Sequence, residues 1–326
     1  MKKINRQQNI ETVLGTIHNN ELGFCQCHEH LFIADGWSGK INPVLRIDNM
    51  DNTVKELITF KSYGGKSLVD AQPLGCGRMA AELVKASRLS GVNIIASTGF
   101  HKLIFYPEDH WIYRMNESQL ALLFIEELQN GMFVNSDIEY PSITISSKAG
   151  IIKTALDEEG LTDRYKKLFY AAAVASKRTG VSILCHTEMG RHALELVKFL
   201  TEQGVSENSI ILCHLDRIAD NFSYHKEVAE TGVYLEYDTI GRYKYHNDEQ
   251  EVKLIAKMIE WGYGDRILLG LDTTRERLKS YGGQIGLQYL FETFIPLLND
   301  YGVTKDYVDK IMITNPARAL SINSNK

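Results

Sequence analysis

Short apolar runs alternate with longer amphipathic stretches along this chain, and this alternation limits the fold more than any other feature. Eight runs have the length and composition of buried β-strands: GFCQCHEHLF, KSLVDAQ, VNIIAST, AGIIKTA, VSILCHTE, NSIILCHLD, GVYLEYDT and DRILLGLDT. Helix-like segments lie between several of them, over 79–89, 164–179, 193–203, 250–261 and 289–300. Strands that alternate with helices build parallel sheets, and eight of them predict a closed (β/α)8 barrel of the α/β class.

The length of 326 residues fits one such barrel with loop insertions. Glycines that would end a helix just before the next strand support the pattern: Gly91, Gly180, Gly204 and Gly232. Neither a repeat nor a linker-like stretch indicates a second domain. We therefore predict a single TIM-barrel domain over 1–326, with a core from about 12 to 320 and short tails. The two longest loops, at 99–118 and 272–288, belong to the C-terminal face, where barrels bind substrates.

The charge pattern argues against several classes of protein. Lys and Arg number 36 against 41 Asp and Glu, a net charge of −5, and the positive residues are scattered, so we expect no nucleic-acid partner. The sequence contains neither a signal-peptide pattern nor an apolar stretch of about 20 residues, and we expect a cytoplasmic protein without membrane contact. A small-molecule substrate is the better expectation.

Histidine and aspartate residues recur where the predicted strands end. His28 and His30 are two apart on a strand and therefore project to the same face. This pair alone is weak evidence, because two hydrogen-bonded histidines would look the same. His186, His214 and Asp272 each follow the last apolar residues of another strand. Catalytic residues of barrels come from such strand ends, and imidazole with carboxylate ligands suits Zn, Mn, Co or Fe.

Lys153 ends the apolar run AGIIKTA, where a buried ammonium would need a partner. One interpretation is a lysine that extends to the barrel mouth and keeps its charge in water. The other is carboxylation, since a neutral amine beside two cations can add carbon dioxide, and the carbamate would give one oxygen to each metal.

The five cysteines are an odd number in a large chain, so we expect reduced thiols rather than disulfides. Cys25 and Cys27 have the opposite parity to His28 and His30, and Cys185 and Cys213 directly precede predicted ligands. Strand alternation then predicts that they face the helices as small apolar residues.

Several segments together resemble the phosphotriesterase family of the amidohydrolase superfamily: TVLGTIHNNELGFCQCHEHLF, GGKSLVDAQPLGCGR, GIIKTA, CHTE, CHLD, GLDTTRE and ITNPARAL. They occur in order from Thr12 to Leu320. The resemblance implies two divalent cations (Zn, Mn or Co): His28 and His30 would bind the more buried metal, together with Asp272, and His186 and His214 the outer metal. Lys153 would bridge both as a carbamate. Homodimers are common among similar proteins.

A metal-bridging hydroxide would then be the nucleophile, with Asp272 as the acceptor of its proton. Lactones, esters and phosphotriesters are all suitable electrophiles. The family's lactonases for acyl-homoserine lactones carry a tyrosine soon after the third strand, whereas this chain has Phe100, His101 and Lys102 there. This departure weakens the acyl-homoserine alternative.

Basic residues crowd the loops after the last two strands: Arg242, Lys244, Arg275, Arg277 and Lys279. They are either solvated loop charges or a phosphate site, which barrels commonly place here. We predict an anionic substrate, a phosphorylated sugar lactone, bound by Lys244, Arg275, Lys279, Arg242 and His101. The alternatives are an acyl-homoserine lactonase, an organophosphate phosphotriesterase and an inactive metal-binding barrel.

Overall fold

The structure is a computed structural model that describes residues 8–323. An antiparallel hairpin comes first, formed by β1 (Asn9–Thr12) and β2 (Gly15–His18). Eight parallel strands follow, each paired with the next one in the chain: β3 (Cys25–Glu29), β4 (Ser67–Asp70), β5 (Asn93–Gly99), β6 (Ile151–Ala155), β7 (Ile183–His186), β8 (Ile210–Cys213), β9 (Tyr234–Tyr237) and β10 (Ile267–Leu269). Seven of them lie within their predicted runs, and β5 extends one residue beyond its run, to Gly99. The predicted (β/α)8 barrel is confirmed.

The barrel closes where the chain's last barrel strand returns to its first. The backbone N–H groups of Leu271 and Asp272 donate to the His28 carbonyl at 3.3 and 2.9 Å. The approach of the two backbones requires a glycine, because a Cβ at Gly270 would lie 2.9 Å from the Cβ of His28. The closing pair of strands thus places the end of β10 directly against His28.

Helices surround the barrel. They are α1 (Trp37–Ile41), α2 (Met50–Ser62), α3 (Ala80–Ser90), α4 (Trp111–Arg114), α5 (Glu117–Gln129), α6 (Asp163–Thr179), α7 (Ala193–Glu202), α8 (Phe222–Glu230), α9 (Asp248–Glu260), α10 (Ile295–Asp300), α11 (Lys305–Asp309) and α12 (Asn315–Ala319). Short π-helical turns precede α10 (Leu290–Phe294) and join α11 to α12 (Lys310–Thr314). The predicted glycine caps are present, since Gly91 and Gly180 end α3 and α6 in the left-handed conformation. Between residues 8 and 323, no helix combines the length and apolar character needed to cross a membrane.

The buried apolar residues form two layers. The larger layer lies between the sheet and the helices, where alternate strand residues such as Ile94 and Ile183 pack against helical ones such as Phe169. The smaller layer fills the barrel interior with residues from all eight strands, including Val69, Ile151 and Leu184. The N-terminal hairpin and α12 contribute to this inner layer through Ile10, Ala319 and Leu320. The interior is thus packed with side chains, and the space for a ligand is left at the opposite, C-terminal end.

All five cysteines are buried free thiols. Four of them, Cys25, Cys27, Cys185 and Cys213, were predicted to face the helices. That prediction is correct for Cys185, which lies in the outer layer. It is wrong for Cys25, Cys27 and Cys213, which lie in the barrel interior. Simple alternation fails in β3 because its pairing with β4 shifts register between Gln26 and Glu29. Simple alternation also fails at the end of β8, because His214, the residue after Cys213, has a left-handed rather than an extended backbone.

Candidate metal centre and substrate cavity

The six predicted metal ligands meet at the C-terminal end of the barrel. They line one cavity of about 330 Å³, together with polar and basic residues from the loops. The strands and the turns that follow them supply all six: His28 from β3, His30 directly after β3, Lys153 from β6, His186 from β7, His214 after β8 and Asp272 after β10. The carboxyl ends of parallel strands thus bring together residues that are far apart in the sequence.

Two of these residues have an unusual backbone conformation. His214 has φ +62° and Asp272 has φ +45°, the left-handed region that side chains other than glycine seldom adopt. Such strain costs of order 1–3 kcal/mol per residue, and surrounding structure must impose it. Here the turn redirects each side chain from the strand direction into the cavity.

Lys153 lies at the base of the cavity. Its side chain is completely buried, and its Nζ is 3.0 Å from Nε2 of His28. Among the described residues, no carboxylate is paired with this amine by a salt bridge. The amine therefore lies among the imidazole nitrogens of the predicted donor set and does not extend to bulk solvent.

Two buried carboxylates orient the histidine rings. Nδ1 of His28 lies 2.8 Å from Glu236 Oε2 and 3.1 Å from Asp238 Oδ2. Nδ1 of His214 lies 2.6 Å from Asp238 Oδ1. With the proton on Nδ1, each ring turns the lone pair of Nε2 toward the cavity, the arrangement that metal-binding histidines usually show.

Burial keeps these rings uncharged. It lowers the pKa of His28 and His214 well below the ordinary value, an effect that Lys153 and Arg217 respectively reinforce. Burial also lowers the pKa of His186 to about 3. Neutral imidazole is the form that binds metal ions, so ligation here would not require loss of a ring proton at neutral pH.

Asp272 is surrounded by positive and polar groups. Its Oδ1 lies 3.4 Å from His30 Nε2, and its Oδ2 lies 3.2 Å from Arg242 and 3.4 Å from Arg217. Burial works to raise the pKa of Asp272, but Arg242 and the contact with His30 outweigh it and hold that pKa well below the ordinary value. Asp272 is therefore a carboxylate, the form that can bind a cation.

The spacing of the donor atoms fits divalent cations. Ligand atoms of His28, His30 and Asp272 all lie within 4.8 Å of one another. His186 Nδ1 lies 2.7 Å from His214 Nε2. Metal–nitrogen bonds of about 2.0–2.1 Å in a tetrahedron separate neighbouring ligands by about 3.3 Å. The residues thus form a donor set that suits Zn or a similar metal.

The predicted substrate-binding residues separate into two groups. His101, Arg242 and Lys244 line the cavity. Arg275 and Lys279 do not: the Arg275 guanidinium stacks over Tyr281 at 5.6 Å, and Lys279 forms a 3.0 Å salt bridge with Glu292. Both side chains therefore have other partners on the outer side of the loop after β10, and the structure does not support the prediction that they bind substrate.

Several cavity residues were not predicted. Lys102, Glu188, Arg217 and Tyr245 line it, with Lys102 and Glu188 joined by a 2.8 Å salt bridge. Glu188 and Arg217 lie two and three positions after His186 and His214, close enough in sequence to share the cavity. Asp238 directly follows β9, so the strand-end argument that selected Asp272 could also have found it.

Comparisons with known proteins agree with the barrel fold and show the family. The profile of the phosphotriesterase family matches residues 8–320. A phospho-furanose lactonase of Mycoplasmopsis synoviae is 33% identical, over 97% of this chain and 92% of its own. An amidohydrolase from Mycoplasma synoviae superposes with a TM-score of 0.94 at 31% identity, over 98% of this chain and 94% of its own. A lactonase from Listeria monocytogenes superposes with a TM-score of 0.89 at 26% identity, over 97% of this chain and 100% of its own.

Proposed function

Since this chain belongs to the phosphotriesterase family, we propose that it is a metal-dependent hydrolase that opens a phosphorylated sugar lactone. The observation that carries the proposal is the pairing of two features in one cavity. A set of metal donors lies at its base, and cationic side chains stand at its mouth. The similarity to a phospho-furanose lactonase over nearly the whole of both chains supports the same substrate class.

His28, His30, Lys153, His186, His214 and Asp272 are the residues that would hold two divalent cations, with Lys153 carboxylated. Bound there, divalent cations would supply Lewis acidity, which lowers the pKa of water toward neutrality and polarises a carbonyl oxygen. Glu236 and Asp238 would keep the His28 and His214 rings in the ligating tautomer.

Asp272 has the position and the charge of a general base. One of its oxygens faces His30 inside the donor set, while the other faces Arg217 and Arg242. As a carboxylate it would accept the proton of the attacking water and return it to the ring oxygen of the opened lactone. The two arginines would fix its orientation during both transfers.

Lys244 is the best candidate for a phosphate ligand. Its ammonium lies 4.6 Å from the centre of the Tyr245 ring, and within residues 8–323 no carboxylate forms a salt bridge with it. Arg242, in contrast, is already paired with Asp272. A cation without a carboxylate partner at the mouth of the cavity is free to bind the phosphate of a substrate whose ring lies over the metals.

The test compares matched lactones with and without a phosphate group on metal-loaded enzyme. In Lys244→Ala, kcat/KM should fall roughly 10- to 150-fold for the phosphorylated lactone, since a charge-assisted hydrogen bond contributes about 1.5 to 3 kcal/mol. The unphosphorylated lactone should be little affected by this substitution.

Lys279→Ala is the matched control, because Lys279 is already paired with Glu292 outside the cavity. Acyl-homoserine lactones and a neutral phosphotriester serve as competing substrates in the same assay. Faster turnover of either by wild-type enzyme, or equal losses on both sugar lactones in Lys244→Ala, would overturn the proposed substrate class.

A further inference from the structure

A second group of ionisable side chains lies outside the cavity. Asp216, His246 and Glu251 converge in the protein interior, with side chains that are 0, 5 and 0% exposed. His246 Nε2 lies 3.8 Å from Asp216 Oδ2, and His246 Nδ1 lies 3.6 Å from Glu251 Oε2. One ligand atom from each residue lies within 4.8 Å of the other two. We call these three residues the outer cluster.

The carboxylates of the outer cluster are poorly satisfied. Both oxygens of Glu251 and Oδ1 of Asp216 are inaccessible to solvent and accept no hydrogen bond within the described chain. The remaining oxygen of Asp216 accepts from the Thr239 backbone N–H at 2.5 Å. Buried oxygens without partners are rare in folded proteins and destabilising, so this arrangement indicates a group that the side chains alone do not provide.

No lysine or arginine of the described residues is paired with the carboxylates of the outer cluster. Arg217, next to Asp216 in sequence, turns instead to Asp272 and Glu188. The neighbouring Asp248 is already satisfied, by the Gly241 N–H at 2.8 Å and the Tyr289 hydroxyl at 2.7 Å.

We propose that the outer cluster binds an additional divalent cation, separate from the predicted pair in the cavity. One imidazole and two carboxylates are a typical donor set for Zn or Mn. The His246 Nδ1–H can donate to the Asn247 carbonyl at 3.2 Å. Nε2 of the same ring lies 3.1 Å from the Thr239 hydroxyl and would exchange that hydrogen bond for the cation. The unpartnered oxygens of Asp216 and Glu251 would then gain the ligand that they lack.

Such a cation would hold the loop that forms one wall of the cavity. Asp216 follows β8, His246 lies in the loop after β9, and Glu251 lies in the first turn of α9. The loop between Thr239 and His246 carries Arg242 and Lys244. The cation would therefore join two consecutive βα units and fix the position of these two cavity residues. This role does not depend on which substrate the cavity accepts.

Metal stoichiometry tests the proposal directly. The full chain is loaded with Zn²⁺ or Mn²⁺, desalted and analysed by mass spectrometry for metal per chain. Glu251→Gln, which keeps the side-chain volume, should contain one metal equivalent less than wild type. Glu249→Gln is the control on the same helix, because the Glu249 side chain is 61% exposed and is paired with Lys253 at 3.9 Å. It should retain the wild-type content.

A second measurement keeps the proposal testable if Glu251→Gln does not fold. Anomalous diffraction at the metal edge from wild-type crystals should give a peak between Asp216, His246 and Glu251, resolved from peaks near His28. The absence of that peak, or unchanged metal content in Glu251→Gln, would overturn the proposal. The two carboxyl groups would then share a proton instead.

Discussion

At the scale of single residues, Lys153 is a lysine buried within the predicted donor set. It is completely buried, with Nζ 3.0 Å from a histidine nitrogen. We predict that Lys153→Ala loses bound metal and nearly all hydrolytic activity, because the donor set loses its central member. Metal analysis and lactone hydrolysis measure the two losses. Short carboxylic acids should restore part of the metal content and part of the activity, because they can occupy the space that the carboxylated lysine would fill.

Lys198→Ala is the control for this substitution, since Lys198 is 77% exposed on α7. It should bind metal like wild type. A full metal complement in Lys153→Ala would show that this lysine is not a ligand.

Asp272 permits a separate test of proton transfer. Asp272→Asn should lower kcat by roughly 10²- to 10⁴-fold, the usual contribution of general acid–base catalysis. The asparagine keeps the shape of the side chain between Arg217 and Arg242 but cannot accept the proton. Steady-state kinetics measure the loss, and circular dichroism checks that the barrel is intact. Normal turnover in this variant would assign the base to another group.

The sequence could predict the strand-end residues of the cavity better than the loop residues. A strand end fixes both the position and the direction of a side chain, so Lys153 and His186 could be placed from periodicity alone. The positions of cationic loop side chains depend on contacts that periodicity does not show. Lys279 forms a salt bridge with Glu292 and Arg275 stacks over Tyr281, and both contacts lie outside the cavity. The left-handed turns at His214 and Asp272 were equally invisible in the sequence.

At the scale of secondary-structure elements, a buried ion pair joins the loop before α3 to α5. Arg78 contacts Glu127 through both terminal nitrogens, at 2.8 and 2.5 Å, and both side chains are buried. Glu127→Ala should lower the free energy of unfolding by about 3–5 kcal/mol, because it leaves an uncompensated buried guanidinium. Urea denaturation measures the change.

The double variant Arg78→Met/Glu127→Leu separates charge from packing. Replacing the whole pair by apolar residues of similar size should recover most of the lost stability. A double variant as unstable as Glu127→Ala would mean that the pair contributes mainly through its hydrogen bonds to the backbone of Ser97 and Phe133.

Elements with strong periodicity were predictable, and those with mixed composition were not. All eight barrel strands and helices such as α6 and α9 follow from their apolar patterns. The hairpin β1–β2 has four-residue strands with exposed polar positions, and α2 carries polar residues on most of its surface, so neither has a clear pattern. The positions of Cys25 and Cys27 were missed because the register shift in β3 reverses simple alternation.

At the scale of the whole molecule, bound metal should contribute to global stability. Ligands that bind only the folded state stabilise it, by about 2.7 kcal/mol at a free concentration one hundred times the Kd. We predict that a chelator lowers the thermal midpoint and that Zn²⁺ or Mn²⁺ restores it. Calorimetry with and without chelator measures the shift. Lys153→Ala should show a much smaller response, and an equal response in that variant would place the stabilising metal elsewhere.

The closing pair of strands also has a consequence for the protein's synthesis. His28 and Asp272 touch in the folded barrel but lie near opposite ends of the sequence. At about 5–20 residues per second, a ribosome makes them roughly 10 to 50 s apart. During that interval His28 and His30 have been synthesised while their carboxylate partner does not yet exist. The complete donor set of the cavity therefore exists only in a polypeptide that has been translated at least through Asp272, so cations proposed to bind there would be held by all six residues only after that point.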